Sequence, residues 1–306
     1  MIVLSTALIV TKVFAIVLVS VLVLSFVLDY ALRSRAVAGG DVAVSAESGT
    51  ANNHTLIVYF PGILAGGRSS SVDLIDTWRS HGDRVLMVEY GRERFDGRVI
   101  VDGVVRRIRR ENALTPFRTI KFIGSSMGGL LAYDVIRQLH LGKSVSIGFY
   151  PIDAPTSSSD FQPPNHLVAP LLRVLPFGPI WDKLNLVSLM FVPPKEANIE
   201  AGVDRAELAR RVEQGKSYPL SFWRDELVFI MNHGAPKPGS LEGLVDDEVY
   251  VRSTRDNDTV RAQAYGVWAL TKSEVTRMEV DSTHVGFAER PDTWRQAFEQ
   301  LLDRRV

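Results

Sequence analysis

The chain has 306 residues, with 35 Lys+Arg against 35 Asp+Glu, so its formal net charge is zero. A balanced charge supplies no long-range field to draw in a polyanion, which argues against nucleic acid as a partner. Hydrophobic residues at 46% exclude a largely disordered chain, and the lack of cysteine excludes disulfides, thiolate metal sites and a catalytic thiol.

Charge is spread unevenly along the chain. Residues 2–28 carry one charged side chain, Lys12, and the run from Val13 to Leu28 has only Ser20 and Ser25 as polar members. A bilayer core about 30 Å thick takes roughly 20 apolar residues in helix. With Lys12 snorkelling to one interface, a span from about Ile9 to Leu28 fits. We read residues 1–35 as a single-pass N-terminal membrane anchor. Ala36-Val37-Ala38 has the small-x-small form of a signal peptidase site. Asp29, Arg33 and Arg35 stand between that site and the apolar run, so the anchor is expected to stay attached. Lys12 and the terminal amine balance Arg33 and Arg35, which leaves the side of the membrane open.

Residues 36–50 are small, polar and Gly-bearing, and read as a tether or a weak first strand. Residues 51–306 read as one domain. Short apolar runs then predict strands at Leu56–Phe60, Val85–Val88, Ile120–Ile123, Val145–Tyr150, Val249–Val251 and Val275–Val280. Several are near-continuous, as expected of strands covered on both faces. Between them, apolar residues at helical spacing predict helices over Val72–Arg79, Val101–Arg110 and Leu130–Leu141, the last with Gly142 as C-cap. This alternation predicts an α/β fold: a mostly parallel sheet with helices on both faces.

The stretch from about 154 to 245 breaks the rhythm and reads as a helical cap inserted between two strands. Its apolar part carries Leu171, Leu172, Leu175, Phe177, Ile180, Trp181, Leu189, Met190 and Phe191. These residues can line an acyl pocket, face a bilayer, or bury one another. Asp204-Arg205-Ala206-Glu207 has the form of a capping box, and a further helix is expected near Tyr218–Met231. The Arg106–Arg110 cluster is open to two uses, contact with anionic lipid headgroups or a solvated helix face.

One motif carries chemistry. After the strand ending at Ile123 comes Gly124-Ser125-Ser126-Met127-Gly128-Gly129, then a helix. Gly-x-Ser-x-Gly between a strand and a helix makes a sharp turn with its middle residue strained. Gly124 and Gly128 remove β-carbons that would clash there. Ser126 Oγ would stand at the sheet's C-terminal edge, and the Met127 amide would point at a developing oxyanion.

On these residues the chain resembles the α/β-hydrolase superfamily, from about His54 to Leu302, with residues 154–245 matching the variable cap in position only. The resemblance implies a Ser–acid–His order and a second oxyanion donor after the strand preceding the first helix. That strand ends in Phe60-Pro61-Gly62-Ile63, where the family often has His-Gly; by position Ile63 supplies the amide. The resemblance puts the base at His284, in the loop after the last strand. His54, His81, His140, His166 and His233 are then left to surface or capping use. The acid is expected after the strand Val249–Arg252, where Asn257-Asp258-Thr259-Val260 looks like the Asp-(Ser/Thr)-Ile/Val run of cutinase-like members and favours Asp258. Counting from the strand end favours Asp256, and some members of the superfamily place the acid where Asp153 stands.

This constellation implies a serine hydrolase that cleaves a carboxylic ester through an acyl-enzyme on Ser126. A lipid-like or acyl ester is the expected substrate. Thioesterase or amidase chemistry on the same residues, or a non-catalytic binding protein of the same fold, are the alternatives. The sequence has no His-Glu-x-x-His, no Gly-x-x-x-x-Gly-Lys and no strand-linked Gly-x-Gly-x-x-Gly, so no metal and no cofactor is expected. Nothing in it sets the oligomeric state.

Overall fold

The computed structural model describes residues 2–36, 44–47, 54–63, 78, 84–90, 95–142, 144–160, 182, 194–255 and 259–306. Among the described residues seven strands form one sheet: β1 (Val44–Glu47), β2 (Thr55–Phe60), β3 (Arg84–Val88), β4 (Thr119–Ser125), β5 (Ser146–Ile152), β6 (Asp247–Ser253) and β7 (Thr276–Val280). Their order is β1-β3-β2-β4-β5-β6-β7. β1 runs antiparallel to β3, pairing Val44 with Val88 and Glu47 with Val85, and the other pairings are parallel. The stretch read as a tether or weak first strand thus contributes an edge strand.

Alternation along β2 divides the core. Leu56, Val58 and Phe60 face one side, with α2 (Gly97–Leu114) and α3 (Met127–Leu139) packed over them. Ile57 and Tyr59 face the other, against Trp78 and Trp294, Phe298 and Leu301 of the C-terminal helix Pro291–Leu302. Trp78 is the described residue of the predicted helix Val72–Arg79; the rest of that helix lies outside the described residues.

Both sheet-covering helices start and stop for identifiable reasons. Asp96 caps α2 by accepting from the Arg98 and Val99 amides at 3.0 and 3.3 Å. α3 ends at Leu139, not at the expected Leu141, because His140 adopts the left-handed conformation at φ 40° and takes the capping role assigned to Gly142. Arg109 of α2 reaches across and donates to the Gln138 and Leu139 carbonyls at 2.7 and 3.1 Å. These are last-turn acceptors that want a cation. Arg107 pairs with Glu111, so two of the arginines in the 106–110 cluster hold structure, while Arg106 and Arg110 are exposed.

Between β5 and β6 the chain leaves the sheet, as the sequence pattern predicts. Helices α4 (Arg205–Lys216) and α5 (Leu220–His233) belong to this insertion, followed after β6 by the short α6 (Ala264–Trp268) and then α7, the C-terminal helix. Asp204 Oδ1 accepts from the Ala206 and Glu207 amides at 2.9 and 3.2 Å, and Glu207 itself pairs with Arg210 and Arg211. The apolar cap residues from Leu171 to Phe191 lie outside the described residues.

The N-terminal helix α1 runs from Ile2 to Ala36. Its segment Thr11–Leu28 has a mean hydropathy of 2.6 and is almost entirely exposed. By length and composition it can cross a membrane, a test that a signal sequence also passes.

Candidate active site

Ser126 stands between β4 and α3 with φ 51° and ψ −124°, a conformation costly for any residue with a β-carbon. Two hydrogen bonds and two close glycine contacts hold it there. Its amide donates to Ile152 O of the neighbouring strand at 2.7 Å, and its carbonyl accepts from Gly129 N at 3.0 Å. A β-carbon on Gly124 would lie 2.6 Å from Gly128 O, and one on Gly128 would run into the Phe60 and Pro61 carbonyls. The glycines are therefore required by backbone packed on backbone, as the motif predicts. Ser126 is only 4% exposed.

The Phe60-Pro61-Gly62-Ile63 turn lies directly against the serine. A β-carbon on Gly62 would sit 3.1 Å from Ser126 Cβ and 3.8 Å from its Oγ. Met127 begins α3, so its amide is one of the unpaired donors at a helix N-terminus. Of the two expected oxyanion donors, Met127 directly follows Ser126 and Ile63 directly follows Gly62, the residue packed on the serine.

His284 follows β7 in a loop whose next residue, Val285, also has positive φ, at 49°. Its Nδ1 lies 3.9 Å from Oδ2 of Asp153. That is longer than a direct hydrogen bond, as catalytic contacts often are before substrate binds. Asp153 comes immediately after β5 with φ 46° and is 1% exposed. Its Oδ1 accepts from Ser253 N at 2.7 Å, and its Oδ2 from Ser253 Oγ at 2.6 Å and Val285 N at 3.1 Å. A buried carboxylate held by three donors, one of them the amide next to His284, is aimed at the histidine by backbone on both sides.

The carboxylates favoured from sequence, Asp258 and its alternative Asp256, lie outside the described residues. Among the described residues it is Asp153, the last-ranked candidate, that faces His284. Nothing in Arg252-Ser253-Thr254 marks Ser253 in the sequence, and only the pairing of Ile152 with Val251 brings it beside Asp153. Of the other histidines described, His233 joins Asp134 at 3.1 Å, tying α5 to α3, and His54 bonds Pro116 O at 3.0 Å. Among the described residues no group of three or more His, Asp or Glu side chains is arranged to hold a metal.

No family model matches the chain, and no curated protein matches it. Solved structures do. A lipase-esterase related protein from Clostridium acetobutylicum is 10% identical, with a TM-score of 0.60 over 86% of this chain and 100% of that one. The enol-lactonase from Burkholderia xenovorans is 14% identical, with a TM-score of 0.60 over 87% and 99%. A hydrolase from Pseudomonas aeruginosa is 12% identical, with a TM-score of 0.56 over 85% and 94%. At such identities the likeness speaks to fold alone. The chain has the α/β-hydrolase fold: a largely parallel sheet, a strained serine turn after its fourth strand, and a helical insertion.

Proposed function

We propose that the protein is a serine hydrolase of carboxylic esters, acting through an acyl-enzyme on Ser126. The observation that carries this reading is the strained Ser126 turn, with Gly62 packed on the serine and a helix N-terminus at Met127. A binding protein has no need of that strain. His284 takes the role of base and Asp153 that of the acid that orients it. The names of the structural neighbours, a lipase-esterase related protein, an enol-lactonase and a hydrolase, agree with ester chemistry.

In this reading Ser126 Oγ attacks the ester carbonyl while His284 Nε2 takes its proton. Asp153 holds the tautomer in which Nδ1 carries a hydrogen, and it stabilises the imidazolium that forms. The carbonyl oxygen becomes an oxyanion between the Ile63 and Met127 amides. The tetrahedral species expels the alcohol, which takes the proton from His284, and leaves an acyl-Ser126. Water, deprotonated by His284, then attacks the acyl carbon and releases the acid.

We place the activity at a membrane, through the segment Thr11–Leu28. An enzyme held there meets lipid-like or acyl esters, which makes that class the first to try. The test is reaction of the full chain, in detergent, with a fluorophosphonate probe beside Ser126→Ala and His284→Ala. Labelling of the parent and of neither variant supports the reading. A folded parent that resists the probe and turns over no ester in a panel of graded acyl length would leave the binding-protein alternative standing.

A further inference from the structure

An oxyanion donor works only if its peptide is aimed before the charge develops. The Ile63 amide belongs to a turn, and turns are held by what grips their neighbouring peptides. The Pro61 carbonyl is gripped from two directions. Gly128 of α3 lies so close that a β-carbon there would collide with it. From the other side Tyr90, two residues past the end of β3, donates its hydroxyl to Pro61 O at 2.7 Å.

Tyr90 is itself tightly placed. It is 6% exposed and packs edge-on against Phe95, with ring centroids 5.4 Å apart. Phe95 in turn meets Phe222 and Phe229 of α5 in the insertion. Burial raises the pKa of the Tyr90 hydroxyl, and the negative charge of the buried Glu226 on α5 adds to the effect. Both keep the phenol protonated, hence a donor. Turning the Pro61–Gly62 peptide would carry Gly62 and the Ile63 amide with it, away from Ser126.

We propose that Tyr90 is a positioning residue for the oxyanion turn: by holding the Pro61 carbonyl it keeps the Ile63 amide aimed at the substrate oxygen over Ser126. This rests on the ester-hydrolase reading above. It also links catalysis to the insertion, because the ring that backs Tyr90 is seated on α5.

The experiment compares the full-length parent with Tyr90→Phe, Tyr150→Phe and Ser126→Ala in detergent. It reads kcat and KM on a short aryl ester, and Ki for an aryl trifluoromethyl ketone, whose adduct with a serine carries an oxyanion. Tyr150→Phe is the matched control. It removes a buried hydroxyl that bonds Asp247 at 3.1 Å, at the opposite end of the sheet from Ser126. Removing one oxyanion donor outright costs about 100–1,000-fold, so a donor present but misaimed should cost roughly 10–100-fold. The expected result is that fall in kcat for Tyr90→Phe, with KM within about twofold and Ki raised by a similar factor to kcat. Tyr150→Phe should leave all three near parental values. Parental kcat and Ki in Tyr90→Phe would overturn the proposal. So would equal losses in both tyrosine variants, or a Tyr90→Phe chain that no longer folds, since the hydroxyl would then serve the fold as a whole. A parent without Ser126-dependent turnover would instead remove the ester-hydrolase reading, and this inference with it.

Discussion

Replacing Asp153 by Asn separates the acid seen facing His284 from those favoured by sequence. The native carboxylate accepts three hydrogen bonds and offers Oδ2 to His284. An amide has one accepting oxygen. If that oxygen takes the Oδ1 position, the new NH2 confronts the Val285 amide, donor against donor, and presents a hydrogen to His284 Nδ1. The imidazole must then carry its proton on Nε2, where it is no longer a base for Ser126. If the oxygen takes the Oδ2 position, the NH2 confronts the Ser253 amide. Either way one buried backbone N–H loses its acceptor, at a cost of about 1–3 kcal/mol. With the NH2 facing His284, loss of the correct tautomer should lower kcat about a thousand-fold or more. With the oxygen facing it the tautomer survives, but a neutral amide stabilises the imidazolium less than a carboxylate does and kcat should still fall more than about tenfold, in both cases with little change in KM. Urea unfolding reads the first quantity and turnover of a short aryl ester the second. The reasoning is refuted if Asp153→Asn keeps kcat within about tenfold of the parent. Collapse of activity in Asp258→Asn or Asp256→Asn would then put the acid among residues 256–258, after β6 in the chain.

Three further outcomes are expected. Gly128→Ala forces a methyl group against the Phe60 and Pro61 carbonyls and should destabilise by about 1–3 kcal/mol, read as a lower urea midpoint; an unchanged midpoint would mean the turn yields to the methyl group at no cost and would refute the expectation. Glu248 on β6 is 1% exposed, and burial raises its carboxyl from the usual 4.5 to about 7, with Thr271 and Lys272 opposing. Because the folded value is raised, its contribution is full below about pH 4.5 and is lost as pH rises through about 7, a span of about 3 kcal/mol. Glu248→Gln should flatten that part of the stability–pH curve, and a curve parallel to the parent's would contradict the assignment. At His233 burial lowers the imidazole pKa, but the bonds to Asp134 and the Gly234 carbonyl outweigh burial and Arg137, and the net direction is up. Its link between α5 and α3 should therefore stabilise fully below the ordinary value near 6.5 and fade as pH rises beyond it. His233→Gln would be furthest below the parent in stability at pH 6 and closest at pH 9, and the reverse order would sink the idea.

The five inner strands, β2 to β6, were legible because parallel strands buried on both faces are written as near-continuous apolar runs, whereas the edge strand β7 is mostly exposed and shows only as the alternating Val275–Val280. β1 was not so clear, since Val44-Ser45-Ala46-Glu47 is half polar and becomes a strand only by pairing with β3. The serine turn was legible for a different reason: only glycines tolerate the backbone contacts around Ser126, so the chemistry of the turn is printed in the sequence. Asp153, the described carboxylate that faces His284, was not. A carboxylate can reach one histidine from several strand ends, and Asn257-Asp258-Thr259-Val260 offered a persuasive local pattern. What distinguishes Asp153 is tertiary: the neighbouring strand that supplies Ser253, and the His284 loop that supplies Val285 N. Tyr90 and Glu248 are not marked in the sequence because an isolated Tyr or Glu carries no periodic signal; burial, and for Tyr90 the bond to Pro61 O, gives them their character.

The distribution of backbone strain gives independent support to grouping these residues. Among the described residues four non-glycine positions have positive φ: Ser126, His140, Asp153 and Val285. His140 is explained as a helix end. The other three come from three loops far apart in sequence, yet each strained residue is held by the next. Ser126 N donates to Ile152 O, the carbonyl just before Asp153. Asp153 N donates to Val251 O, and its side chain accepts from Val285 N. Each such conformation costs about 1–3 kcal/mol and persists only where its surroundings over-determine it. A fold optimised for stability alone would put glycine, or ordinary backbone, at these positions. That the strain converges on one serine, one carboxylate and the residue beside one histidine is what an acyl-transfer site requires. The reactive atoms must be fixed before substrate arrives, because any freedom left in them would have to be lost in the transition state.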